Sequence, residues 1–140
     1  MARLLQYCSN HPWLLLFTLV SAAAVVIFEW RWRLARLASI SGQEAIQLMN
    51  KGAVVIDVRD AASFAAGHIA GARHVPGEKI ADGADSLKKL RGKQIIVSCE
   101  KGVTSAAAVR TLTEQGFTQV LSLRGGLAAW RAEHLPLTQD

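Results

Sequence analysis

Hydrophobic positions are distributed unevenly along this chain. From Trp13 to Phe28 the run WLLLFTLVSAAAVVIF carries no charge, and its hydroxyls are those of Thr18 and Ser21. As a helix, Pro12 to Trp32 rises about 31 Å, matching a hydrocarbon core of about 30 Å. Trp13 at one end, and Trp30 and Trp32 at the other, stand where amphipathic rings favour the interface, and Arg31 and Arg33 can snorkel outward. The pattern predicts one transmembrane helix over about residues 12–32, within an anchor segment 1–36. The competing reading is a cleavable signal peptide, with Ala22 and Ala24 as an A-x-A-like site. Against it, the run continues through Val25, Val26, Ile27 and Phe28 before meeting arginines, which is a stop-transfer pattern. Arg31, Arg33 and Arg36 behind the span, against Arg3 and the amino terminus ahead of it, place residues 37–140 in the cytoplasm of a bacterial host. The protein is then single-pass in the inner membrane.

Beyond a short linker around Arg36 to Ile40, helix-like and strand-like segments alternate. Ser41 and Glu44 are spaced as a capping box before Ala45, Ile46, Leu48 and Met49, and Gly52 stops that helix. Ala53 to Val58 (AVVIDV), Gln94 to Ser98 (QIIVS) and Gln119 to Leu123 (QVLSL) are β-branched or apolar runs suited to strands buried on both faces. Asp85 to Leu90 supplies one short helix between them, and Ser105 to Gln115, closed by Gly116, another. Gly125 to His134 reads as a terminal helix ended by Leu135 and Pro136. Residues 37–140 therefore predict a small α/β domain, its mostly parallel sheet flanked by helices on both faces. Ligands of such sheets bind beyond the carboxyl ends of the strands, which selects the loops starting at Arg59, Cys99 and Arg124.

Composition narrows the classes of function. At 140 residues the chain holds one small core, and 51% apolar against 19% charged residues excludes a disordered chain. The net charge of +5 is mostly the anchor's: Arg3, Arg31, Arg33 and Arg36 less Glu29 give +3, leaving 12 cations against 10 anions, or +2, beyond it. With no basic block and no interleaved aromatics, nucleic acid is not an expected partner. Cys8 and Cys99 would lie on opposite sides of the membrane and form no disulfide framework. His11, His74 and His134 show no metal-ligand spacing, so neither a metal nor a cofactor is expected.

The candidate chemistry centres on Cys99, where a buried strand ends and Glu100, Lys101, Gly102, Val103, Thr104 and Ser105 lead into a helix. Gly102 permits a backbone turn that points successive amides inward, an anion-binding nest closed by the helix amino terminus. A thiolate is such an anion. Charge-assisted hydrogen bonds contribute about 1.5 to 3 kcal/mol each. A carboxylate on Glu100 about 8 Å away opposes by about 2 kcal/mol at an effective dielectric of about 20. Several amides outweigh it. Position alone leaves open a second reading, a buried structural cysteine.

Four motifs in order carry a resemblance: Asp57-Val58-Arg59; Gly67-His68-Ile69-Ala70-Gly71-Ala72; Cys99 and its loop; and Leu123-Arg124-Gly125-Gly126, followed by Ala129-Trp130. Over about residues 38–136 the chain resembles the rhodanese-like domain family, and the whole chain resembles the small bacterial members that carry one amino-terminal membrane helix. The resemblance implies a sulfurtransferase. Cys99 would take a sulfane sulfur from a donor such as thiosulfate, hold it as a persulfide and pass it to a thiol or other nucleophilic acceptor. The loop is similar to the thiosulfate-using branch, which implies substrate-binding roles for Glu100, Lys101, Gly102, Val103, Thr104 and Ser105. The departure is Glu100, an anion where that branch has a cation, so weak turnover of dianionic thiosulfate is expected. Phosphatases of the same fold carry an arginine six positions after the cysteine; here that position is Ser105, which argues against phosphate chemistry.

Supporting residues follow from the same loops. Asp57 is read as bracing the site, in contact with Arg59 or the loop, and His68 as part of a turn packed on the sheet. Arg59 and Arg124 either brace or draw in an anionic donor. Trp130 fills core. The alternative function is a non-catalytic or weakly catalytic interaction module, held at the membrane and binding a membrane-protein partner. A freely diffusing small donor gives no reason for a membrane tether, whereas a membrane protein or membrane-bound acceptor does.

Overall fold

The computed structural model describes residues 12–37, 39–82 and 85–139. It divides into two compact units, Met1–Leu37 and Ala38–Asp140. In the first, helix α1 runs over Pro12–Leu37, 26 residues. Its segment Pro12–Trp30 has a mean hydropathy of 2.0 with 0% buried, and among the described residues it is the one helix long and apolar enough to cross a membrane. The Thr18 hydroxyl donates to the Leu14 carbonyl at 2.9 Å, so this polar group is satisfied inside its own helix. Arg3, Cys8 and His11 lie outside the described residues, as do the side chains of Arg31, Trp32, Arg33 and Arg36.

In the second unit the elements are β1 (Ser39–Ile40), α2 (Gly42–Asn50), β2 (Val54–Asp57), α3 (Ala61–Ala65), β3 (Arg73–His74), α4 (Gly77–Ala81), α5 (Asp85–Lys88), β4 (Ile95–Ser98), α6 (Val103–Glu114), β5 (Val120–Leu123) and α7 (Gly126–Ala132). The five strands form one sheet in the order β1-β5-β4-β2-β3. Every neighbouring pair in it is parallel. The three strands expected from apolar runs are its centre. The two edges, β1 and β3, are two residues each and lie outside those runs; the boundary between the two units falls within the expected linker Arg36 to Ile40, whose last two residues form β1.

Alternation along the strands sorts the core into two layers. Ile56, Ile95, Val97 and Cys99 pack on one face with Ala108, Val109 and Leu112 of α6. Val55, Ile96 and Leu123 pack on the other with Ala45, Leu127 and Trp130. This is the period of two expected of a pleated sheet, and it puts helices on both faces. At the start of α2 the capping box forms as the spacing predicts: Ser41 accepts from the Glu44 amide, and the Ser41 amide donates to the Glu44 carboxylate at 2.8 Å. The Ser41 backbone bond, and then its hydroxyl, hold the Glu44 carboxyl below its ordinary range. A depressed folded-state pKa stabilises above the unfolded value of about 4.3 and is lost as pH falls through the folded one. Ser41→Ala keeps the backbone bond and loses only the hydroxyl's share, so it should lower stability near neutrality by a difference that narrows in acid, read by denaturant titration at several pH values.

Candidate active site

Cys99 follows β4 directly and continues the inward row of Ile95 and Val97, which explains its burial at 3% exposure. The chain then turns at Gly102, whose φ of 87° lies in the left-handed region, and this glycine caps the start of α6 with no side chain to close the helix. The sulfur takes that place. The amides of Gly102 and Ser105 donate to Cys99 Sγ at 3.0 and 3.2 Å. The Ser105 amide is one of the donors that an α-helix leaves unpaired in its first turn, so Sγ satisfies a group that would otherwise need a Ser or Asp cap. The Ser105 hydroxyl lies 3.4 Å from Sγ as well. Helix α6 thus begins at Val103, two residues ahead of the expected Ser105, because the sulfur acts as its cap.

The carbonyl side of the loop is held from the next helix. The amides of Leu127 and Ala128, in the first turn of α7, donate to the carbonyls of Cys99 and Glu100 at 2.8 and 2.9 Å. Gly126 makes this approach possible: a Cβ there would stand 2.2 Å from the Cys99 carbonyl oxygen. Gly125 and Gly126 both have positive φ, 70° and 60°. The Arg-Gly-Gly motif is therefore the clamp that presses α7 onto the cysteine loop.

A line of charges braces the same loop. Arg59 Nε is 3.0 Å from both carboxylate oxygens of Asp57, and Nη2 is 2.8 Å from Oδ2. Arg59 also donates to the Gly67 carbonyl at 2.7 Å and to Glu100 Oε2 at 3.3 Å. Arg131 of α7 pairs with the other oxygen of Glu100. Asp57 is fully buried and the Arg59 side chain is 5% exposed. Asp57 holds the Arg59 guanidinium yet more firmly protonated, above its ordinary value. The hydrogen bond from Arg131, with both arginine charges, keeps the Glu100 carboxyl below its usual range. Glu100 is thus neutralised in place by two guanidinium groups, and its opposition to a thiolate is smaller than an isolated carboxylate would give.

The structure brings Cys99, Gly102 and Ser105 together around the sulfur, and Asp57, Arg59 and Glu100 into the brace beside it. Lys101, Val103 and Thr104 are exposed, Val103 at 78%. Arg124 turns away to β1, where its Nη2 donates to the Ser39 carbonyl at 3.1 Å. His68 is buried in the turn, its ring stacked on Phe64 with centroids 3.9 Å apart. Trp130 lies in the core with its indole N–H donating to the Pro136 carbonyl at 2.9 Å. Two participants escaped the sequence reading. Arg131 is 31 residues from Glu100 and has no local signal. Ser122, a hydroxyl at an inward position of a buried strand, is 2.9 Å from the Ser105 hydroxyl; a polar residue inside the apolar run QVLSL was the available sign.

Comparison with known proteins places this arrangement. Residues 41–133 match the rhodanese-like domain family. The chain belongs to that family. It is 33% identical to the uncharacterized protein YibN of Escherichia coli K12 over 141 aligned residues, 99% of each chain. It is 44% identical over 93 residues to thiosulfate sulfurtransferase GlpE of Ectopseudomonas mendocina, covering 66% of this chain and 84% of that one. Among solved structures, a rhodanese-related protein of Thermoplasma volcanium superposes with a TM-score of 0.64 at 29% identity, covering 73% of this chain and 98% of that one. The expected rhodanese-like α/β fold, its sheet flanked on both faces, is the one observed.

Proposed function

We propose that this rhodanese-like protein is a sulfurtransferase, or persulfide carrier, held at a bacterial inner membrane by α1 with its domain in the cytoplasm. Cys99 is its nucleophile. The observation that carries the reading is the sulfur itself, at the carboxyl end of a central parallel strand and accepting two backbone N–H bonds. Such donors favour negative charge on sulfur, the form that attacks. With thiosulfate as donor, the Cys99 thiolate forms a bond to the outer sulfur while the S–S bond of thiosulfate breaks, and sulfite leaves with the electron pair. Cys99 then carries a persulfide anion. An acceptor thiolate attacks the terminal sulfur, becomes the persulfide, and restores the Cys99 thiolate. The match to GlpE, a thiosulfate sulfurtransferase, supports the donor class, and the full-length match to YibN spans the apolar segment too. Cys99→Ser should retain the fold but lose sulfur transfer from thiosulfate to cyanide or a thiol; retained turnover would exclude the mechanism.

Within this mechanism Glu100, Arg59 and Asp57 position the loop, and Lys101, Val103 and Thr104 are the side chains open to donor and acceptor. Because Glu100 cancels charge on Arg131, which is 45% exposed, the site meets a dianion with less attraction than its arginines would otherwise give. Glu100→Gln should lower the KM for thiosulfate by about 3- to 10-fold at low salt, with the gain shrinking as ionic strength rises past about 0.15 M. The pair with Arg131 is partly solvated, so the stability cost should stay within about 1 kcal/mol. A KM that is unchanged at every salt concentration would show that Glu100 does not tune donor charge.

A further inference from the structure

Two hydroxyls are buried beneath the sulfur, where a sheet core ordinarily takes apolar side chains. Ser105 is 0% exposed and Ser122, on β5, is 5% exposed. Strand register pairs Ser122 with Val97, two residues before Cys99. Among the described residues, Ser105 is the one side chain or backbone group bonded to the Ser122 hydroxyl, at 2.9 Å. Ser105 has more to satisfy. Its oxygen lies 3.0 Å from the Gly102 carbonyl, 2.9 Å from Ser122 Oγ and 3.4 Å from Cys99 Sγ.

Proton counting fixes the direction of these bonds. A serine hydroxyl has one hydrogen and two lone pairs. Were Ser122 to accept from Ser105, its own hydrogen would be buried with no acceptor, so Ser122 donates. The Ser105 hydrogen is thereby directed away from β5, toward Gly102 and Cys99. With Cys99 as a thiol, S–H donates to Ser105 and Ser105 donates to the Gly102 carbonyl, and every valence is filled. Once the sulfur is an anion it offers no hydrogen, and the Ser105 hydroxyl turns its own onto Sγ while Ser122 goes on donating into Ser105. A hydroxyl that accepts one bond donates another more strongly.

We propose that Ser122 is a positioning residue for sulfur transfer, acting through Ser105 to supply a polarised hydroxyl donor to the anionic Cys99 sulfur. This rests on Cys99 being the sulfur-carrying nucleophile. The test uses the full-length protein in detergent and a double-mutant cycle of Ser105→Ala and Ser122→Ala, with Ser122→Cys as a near-isosteric variant keeping a weak donor. The readouts are the rate of Cys99 alkylation by iodoacetamide at fixed pH, thiolate ultraviolet absorbance, and kcat and KM for thiosulfate. Ser122→Ala should slow alkylation and lower kcat about 1.3- to fivefold at unchanged KM, the size expected when a charge-assisted bond loses a tenth to a third of its strength. Ser122→Cys should fall between. In the Ser105→Ala background, removing Ser122 should change nothing further, because its path to the sulfur is gone. Wild-type rates in Ser122→Ala, or effects of the two substitutions that simply multiply, would overturn the role of Ser122 alone. A wild-type protein that takes no sulfur at Cys99 would overturn both this role and the function on which it rests.

Discussion

Arg59→Ala is expected to destabilise the domain by about 3 to 5 kcal/mol, the cost of removing one partner from a buried ion pair. The cost arises on Asp57. That carboxylate is fully buried, and the guanidinium of Arg59 surrounds it at 2.8 to 3.0 Å. Without the guanidinium, the donor it keeps among the described residues is the Arg59 backbone amide, at 3.0 Å in the same local turn. The Gly67 carbonyl loses its donor as well, and Glu100 loses its inner partner. Replacing Asp57 and Arg59 together with apolar residues of similar volume should cost less than either single change, since no uncompensated charge stays behind. Denaturant unfolding of the three variants checks this; an Arg59→Ala loss below about 1 kcal/mol would mean that the pair is solvated rather than buried.

Gly126→Ala is expected to damage activity and stability together. Its Cβ would fall 2.2 Å from the Cys99 carbonyl oxygen and 2.8 Å from the Glu100 carbonyl, on a backbone at φ +60°. Backbone at such distances must separate. The bonds at risk run from the Leu127 and Ala128 amides to the Cys99 and Glu100 carbonyls. Two such bonds at about 1 kcal/mol each, with about 1 kcal/mol of left-handed strain, give a loss near 3 kcal/mol. If Cys99 is the nucleophile, as proposed, shifting its backbone by about 1 Å should lower kcat/KM by up to about a hundredfold. Gly52→Ala is the control, since it shares a positive φ of 95° but has nothing within 4 Å of its Cβ. It should show strain alone and full activity. If the two variants lost activity equally, contact with the cysteine loop would not be what Gly126 provides.

What was legible in the chain follows from the length scale of each signal. Runs such as AVVIDV and QIIVS declare buried parallel strands because burial on both faces removes polar alternation, and β2 and β4 lie within them. Strands of two residues leave no such trace: β1 and β3 exist because the backbone of a neighbouring strand pairs with them. Helix α6 starts two residues ahead of its sequence signal for a chemical reason, a cysteine sulfur acting where capping rules look for Ser, Thr, Asp or Asn. Cys99 and its loop were legible because their residues are consecutive. The brace from Asp57 through Arg59 and Glu100 to Arg131 was only half visible, since its last member comes from α7 and the fold alone brings it near. The antiparallel bridge between His68 and Thr138, which ties the chain end to the Gly67 turn, had no sequence sign for the same reason.

The most direct measurement is the intact mass of the full-length protein in detergent after incubation with thiosulfate, with Cys99→Ser treated alongside. A gain of one sulfur, roughly 32 Da, on the wild type alone is expected if Cys99 carries a persulfide. No gain on folded protein with a free thiol, or an equal gain on Cys99→Ser, would contradict a sulfur-carrying Cys99 and favour the interaction-module reading instead.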